Sequence, residues 1–141
     1  MNTNKIVIGT LVGGVVFFLL GFLIYGLLLA DFMAANSNPC VMRKMEEMIW
    51  WALIASNLVM AFFLSLIFSW TGTNTIGGGM GKGAMVGFIT GLGFDLGMYA
   101  TSTMMNSPGA IMADVAASAV MCAVTGAAIG MVMGMGKKAA A

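Results

Sequence analysis

Histidine is absent from this 141-residue chain, and charge is scarce: Lys, Arg, Asp and Glu together make up 8%. The missing imidazole removes the commonest general base and the commonest metal ligand. A soluble domain carries about 25% charged residues. With 60% of the residues hydrophobic, the shortfall describes a chain whose solvent is mostly lipid. A net charge of +1 offers no basic face for nucleic acid. The two cysteines, Cys40 and Cys122, fall in a connecting segment and deep in an apolar run. That placement argues against a mutual disulfide, and they form no spaced metal motif. The length accommodates four membrane spans with short connections and leaves no room for a separate catalytic module.

What the chain does contain is apolar runs. They predict an all-α fold, an integral membrane four-helix bundle with short loops, forming one domain over 1–141 with spans at about 6–30, 48–70, 83–105 and 111–135. The first run, after Lys5 and before Asp31, is too long for the roughly 7–15-residue apolar region of a signal peptide, so it reads as a retained helix. Trp50, Trp51 and Trp70 bracket the second run, as expected of residues that prefer the membrane interface. Asn106-Ser107-Pro108-Gly109 is a turn signal that folds spans three and four into an antiparallel hairpin.

Between the first two spans, Asn36-Ser37-Asn38-Pro39 breaks any helix, and Val41 to Glu47 is expected to re-form one leading into span two. Thr71 to Lys82, rich in Gly, Thr and Asn, is expected to be a mobile loop. Its Gly81-Lys82 is not a phosphate-binding loop, because Ile76 and Gly83 stand where that motif requires Gly and Ser or Thr. Lys5, Lys82, Lys137 and Lys138 lie on one side, and Arg43 and Lys44 on the other. The positive-inside rule then places both termini in the cytoplasm.

Helices in lipid associate by close packing and interhelical hydrogen bonds. Gly83, Gly87 and Gly91, continued by Asp95, Tyr99 and Thr103, recur every four residues in span three. Asp114, Ser118, Cys122, Gly126, Gly130 and Gly134 make a matching row in span four. A symmetric turn centred between Pro108 and Gly109 predicts Gly87 level with Gly130, Gly91 with Gly126, Asp95 with Cys122 and Thr103 with Asp114. Rows of this spacing rotate by about 40° per step. Only Gly87, Gly91 and Asp95 are therefore expected to meet Cys122, Gly126 and Gly130, around one crossing point.

An intramembrane carboxylate costs roughly 2.5–3.5 kcal/mol on insertion scales, so Asp95 is the residue most in need of an explanation. The expected span places it about ten residues, or roughly 15 Å, from the outer end and close to the midplane. Asn57, at matching depth in span two, is a candidate donor to it. Tyr99, Cys122 and Thr90 are further candidates, and Asp114 near the start of span four reads as a snorkelling or capping residue. No Lys or Arg is available at that depth, and burial without a cation favours the neutral acid. Three readings compete: a hydrogen-bonded packing residue, a proton or cation site, and a group facing a ligand cavity or partner subunit. With no second catalytic group evident and no cofactor implied, the chain does not read as an enzyme.

The sixteen methionines suit irregular apolar gaps. Cys40, Met42, Met45 and Met48 at helical spacing are weak candidates for Cu(I), which favours sulfur ligands. Gly21-Phe22-Leu23-Ile24-Tyr25, Gly83-Ala84-Met85-Val86-Gly87-Phe88 and Gly126-Ala127-Ala128-Ile129-Gly130 together resemble a family of short four-span bacterial membrane proteins known only as a domain of unknown function. Ile24 stands where members often carry Trp. The resemblance implies a compact four-helix membrane fold and assigns no catalytic residue. These features point to a structural or interaction protein in the lipid bilayer, a homo-oligomer or an accessory subunit of a membrane assembly. The alternative is a small oligomeric proton or cation channel or transporter using Asp95.

Overall fold

Helix caps and breakers cut the apolar runs into elements. The computed structural model describes residues 2–41 and 43–136. In it the chain forms α1 (Thr3–Leu23), a π-helical turn (Ile24–Leu28), α2 (Ala30–Asn36), a 3-10 turn (Met45–Glu47), α3 (Trp50–Trp70), α4 (Ile76–Thr101) and α5 (Pro108–Gly134). Four segments are long and apolar enough to cross a membrane: Thr3–Leu28, α3, α4 and α5. The fold is an all-α bundle of membrane type. Large apolar side chains such as Leu19, Val59, Ile89 and Val120 point outward, as lipid-facing positions do.

The expected helix from Val41 to Glu47 is reduced to the single 3-10 turn, which Met48 and Ile49 separate from α3. A larger difference lies between α3 and α4. From Ile76 to Lys82 the Gly-rich stretch expected to be a mobile loop is instead helical, making about the first two turns of α4. Thr75 caps it, its hydroxyl accepting from the Gly78 N–H at 3.1 Å. The connection shrinks to Thr71–Thr75. Gly72 there adopts φ +65°, and Thr73 N–H donates to the Phe68 carbonyl at 2.9 Å, a left-handed helix ending that favours glycine.

The helices are ordered by who packs on whom. α1 lies between α3 and α5, and α4 makes its extensive contact with α5 only. Gly9 faces Ser65 and Ile129, Gly13 faces Ile129 and Ala61, and Gly14 faces Leu58. The α1 glycines are therefore spent on contacts within the bundle. The main core is Ile6, Phe17, Ala61, Leu64, Phe68, Cys122, Ile129 and Met133.

Between α4 and α5 the backbones themselves touch. A Cβ on Gly79 would strike the Gly126 carbonyl oxygen, one on Gly83 the Cys122 carbonyl oxygen, and one on Gly130 the Thr75 carbonyl oxygen. Ser118 Oγ donates to the Gly87 carbonyl at 3.1 Å. The contact continues from Gly79 to Gly91, further than a single crossing point.

The start of α1 and the end of α5 lie at one end of the bundle, where Lys5 Nζ donates to the carbonyls of Met133 (2.8 Å) and Met135 (2.6 Å). A cation there satisfies carbonyls that a helix C-terminus leaves unpaired. At the opposite end the loop after α2 is pinned to the α4–α5 turn. Asn38 N–H donates to Met104 O (3.1 Å) and Asn106 N–H to Asn36 O (2.9 Å), flanking an antiparallel bridge between Ser37 and Met105. Ser107 Oγ adds a bond to Asn36 Oδ1 at 2.9 Å.

The glycine contact yields a stability prediction. Gly83→Ala places a methyl group on the Cys122 carbonyl and is expected to cost on the order of 1–3 kcal/mol. Gly81 has nothing within 4 Å of its Cβ position, so Gly81→Ala leaves stability unchanged or raises it by up to about 1 kcal/mol. Reversible unfolding in bicelles measures both; equal losses at the two positions would contradict the packing.

Candidate functional site

The α4–α5 hairpin determines what Asp95 meets, and its register differs from the one expected. Gly87 faces Ser118 and Cys122, and Gly91 faces Ser118 and Val115; Gly126 faces Gly79 and Gly83, and Gly130 faces Thr75 and Gly79. Gly91 was expected opposite Gly126, so the slip is two helical turns. Its cause is local. Ser107 caps α5, its hydroxyl accepting from Ala110 N–H at 3.2 Å, and Pro108 takes the first helical position, where its missing N–H costs nothing. Proline thus starts α5 instead of centring the turn. α4 ends at Thr101, and residues 102–107 make the connection.

One turn beyond Gly91, the corrected register brings Asp95 opposite the first turns of α5. Asp114 stands there, next to the Val115 that Gly91 faces, and is a near neighbour of Asp95. The expected pairings of Asp95 with Cys122 and of Asp114 with Thr103 are therefore replaced by a pairing of the two acids. Asp95 is buried, with 1% of its surface exposed, and Asp114 is half-buried. The depth also changes. Asp95 is six residues, about 9 Å, from the end of α4 at Thr101, so it lies toward the far end of the helix and away from its middle.

A third polar group comes from the π-helical turn. Leu29 N–H donates to Ile24 O at 2.7 Å, the i+5 bond that widens a helix by one residue. Within that turn is Tyr25, half-buried, near Asp114 of α5. Sequence reading did not select Tyr25 as a site residue. The available signal was one aromatic hydroxyl, followed by Gly26, in an otherwise apolar run.

The other predicted partners lie elsewhere. Asn57 Nδ2 donates to the Leu53 carbonyl of its own helix at 2.8 Å, and the side chain lines an apolar groove between α1 and α3 with Gly14, Phe18 and Leu58. Tyr99 is 46% exposed and has rotated off the α5-facing side. Thr90 Oγ1 bonds the Val86 carbonyl at 2.7 Å. Cys122 is buried against Gly83 and Gly87 and is a free thiol, as is the exposed Cys40. Met48 is half-buried; Met42 and the side chain of Met45 lie outside the described residues, as do Lys137 and Lys138.

Among the described residues, neither Asp95 carboxyl oxygen has a hydrogen-bond donor. The buried hydroxyls of Ser65 and Thr125 also lack partners, but a hydroxyl can turn onto the carbonyl four residues back. A carboxylate has no proton to offer a carbonyl or a second carboxylate. Two facing carboxyls can bond each other only when one of them carries a proton. No group of three or more metal-ligating His, Cys, Asp or Glu side chains occurs among the described residues.

No family model, no curated protein and no solved structure matches the chain.

This site predicts unequal costs for two polar groups. Tyr25→Phe removes the one hydroxyl near Asp114 that can turn onto it as a donor and is expected to destabilise by about 0.5–1.5 kcal/mol. Asn57→Leu removes only a bond within α3, and a change below roughly 0.5 kcal/mol is expected. If unfolding measurements show the larger loss at Asn57, the assignment of the polar cluster is wrong.

Proposed function

We infer that this chain is a small structural or interaction protein of a bacterial inner membrane, one that self-associates or serves as an accessory subunit of a membrane assembly. The observation that carries this reading is the one-sided packing of α4. It is the least apolar of the four candidate spans, and its extensive contact is with α5 only. Gly77, Gly81, Gly93 and Gly97 have open space at their Cβ positions. A glycine face offers lipid little apolar surface but lets another helix approach closely. The glycines of α1, by contrast, are already covered within the bundle.

The excess of Lys at the termini and in the first turns of α4 (Lys82) over Arg43 and Lys44 supports cytoplasmic termini. The reading is non-enzymatic: the two acids face each other across a helix contact, and neither of the clefts at Asn57 and at Lys5 includes them. A proton or cation pathway is the second reading, favoured by the Asp114 carboxyl beside Asp95.

Cysteine cross-linking in native membranes tests the main reading. With Cys40 and Cys122 replaced by Ser and Ala, Gly93→Cys is expected to form a cross-linked dimer or a heavier adduct with a partner subunit. Leu11→Cys on the lipid-facing side of α1 is expected not to. Monomer alone at both positions would contradict the interaction reading, and a proton or cation flux in proteoliposomes would favour the second.

A further inference from the structure

We propose that Asp95 and Asp114 form a proton-binding site within the membrane-spanning bundle, in which Asp95 carries the proton and donates it to Asp114, while Tyr25 donates to Asp114 from the other side. The proposal deepens the second reading above but concerns occupancy alone. A bound proton is compatible with a purely structural protein, so loss of flux or of dimerisation leaves it standing.

Three observations carry it. The glycine register is fixed by backbone contacts at Gly79, Gly83 and Gly87 and by the approach of Gly91 to Ser118 and Val115, and it directs Asp95 at the start of α5. Asp95 is buried, and both its oxygens lack a donor. Gly91, one turn before Asp95, lies against Val115, so the acid nearest to Asp95 is Asp114 on α5, with Tyr25 of the π-helical turn near Asp114, and no Lys or Arg is among them.

An ionised Asp95 would leave two acceptors unpaired and out of water, beside a second acid. Adding one proton converts the contact into an O–H···O bond, the short, charge-assisted type. The proton belongs on Asp95, because Asp95 is the more deeply buried of the two acids, and Asp114 is partly exposed with the Tyr25 hydroxyl near it. Asp114 and Tyr25, both half-buried, also supply the route by which a proton reaches Asp95 from the far end of the bundle. The small number of oxygen ligands argues for a proton over a metal cation, which takes six or more oxygens as Ca²⁺ or Mg²⁺.

Infrared spectroscopy of the full chain in liposomes at neutral pH tests this, through the carbonyl stretch of a protonated carboxylic acid. The remaining acids, Asp31, Glu46 and Glu47, are exposed. One such band per chain is expected, lost in Asp95→Asn and shifted in frequency in both Asp114→Asn and Tyr25→Phe. If Asp95→Asn does not fold, the shifts in the other two variants decide. Absence of the band in the unmodified chain overturns the proposal, as does a band that survives Asp95→Asn or ignores both other substitutions. A band that appears only when sodium is replaced by choline also overturns it, because sodium would then be the resident ion.

Discussion

The closeness of two helix backbones controls this molecule. α4 and α5 approach until glycine Cα atoms lie against carbonyl oxygens of the facing helix. That contact is available only where side chains are absent, so it fixes both distance and register. In lipid, where apolar burial does not drive helices together, such packing is a principal source of association. The consequence for chemistry is direct. Once Gly83 lies on Cys122 and Gly87 on Ser118, Asp95 has only the first turns of α5 to face.

Those turns carry Asp114, and the pair accounts for the cost of a carboxyl group at this position. A lone carboxylate in hydrocarbon is expensive. Two acids with one proton and a tyrosine hydroxyl form a closed set of donors and acceptors instead. The π-helical turn is part of that set, because it delivers Tyr25 from α1 to the far end of the bundle. The loop strap from Asn36 to Asn38 lies over the same end, bonded to Met104 and Asn106. Met105, Ala110, Ile111 and Val115 form a small apolar cluster there, with Met33 and Leu92 packed against it. One end of the molecule is therefore tied by polar contacts and a small core, while the other is tied by Lys5 on the end of α5.

Four spanning helices were legible from hydrophobic run length alone, because in lipid the backbone has few alternatives to a helix. The glycine rows of spans three and four were legible too, from spacing. Their register was not. It depends on whether Pro108 sits in a turn or at the first position of a helix, and Ser107 decides that by capping. The eight-residue slip follows from that placement together with the end of α4 at Thr101. The Gly-rich stretch before span three misled for a related reason. Low helix propensity argues for a loop, but contact with Gly126 and Gly130 outweighs propensity. Asp95 was legible as anomalous, whereas its partners were not. Asp114 reads as a cap until the register is known, and Tyr25 comes from a π-turn that leaves no clear mark in the sequence.

The register is the claim on which the rest stands, and a disulfide scan measures it most directly. In a chain with Cys40→Ser and Cys122→Ala, cysteines at Gly91 and Ser118 are expected to join within one molecule on mild oxidation. A Cβ on Gly91 would lie 3.1 Å from that of Ser118, close to the roughly 3.5–4.5 Å of a disulfide. Cysteines at Gly91 and Gly126 are expected to stay reduced. Cross-linking of the second pair and not the first would contradict the account, since Asp95 would then face Cys122 and the acid pair would not exist.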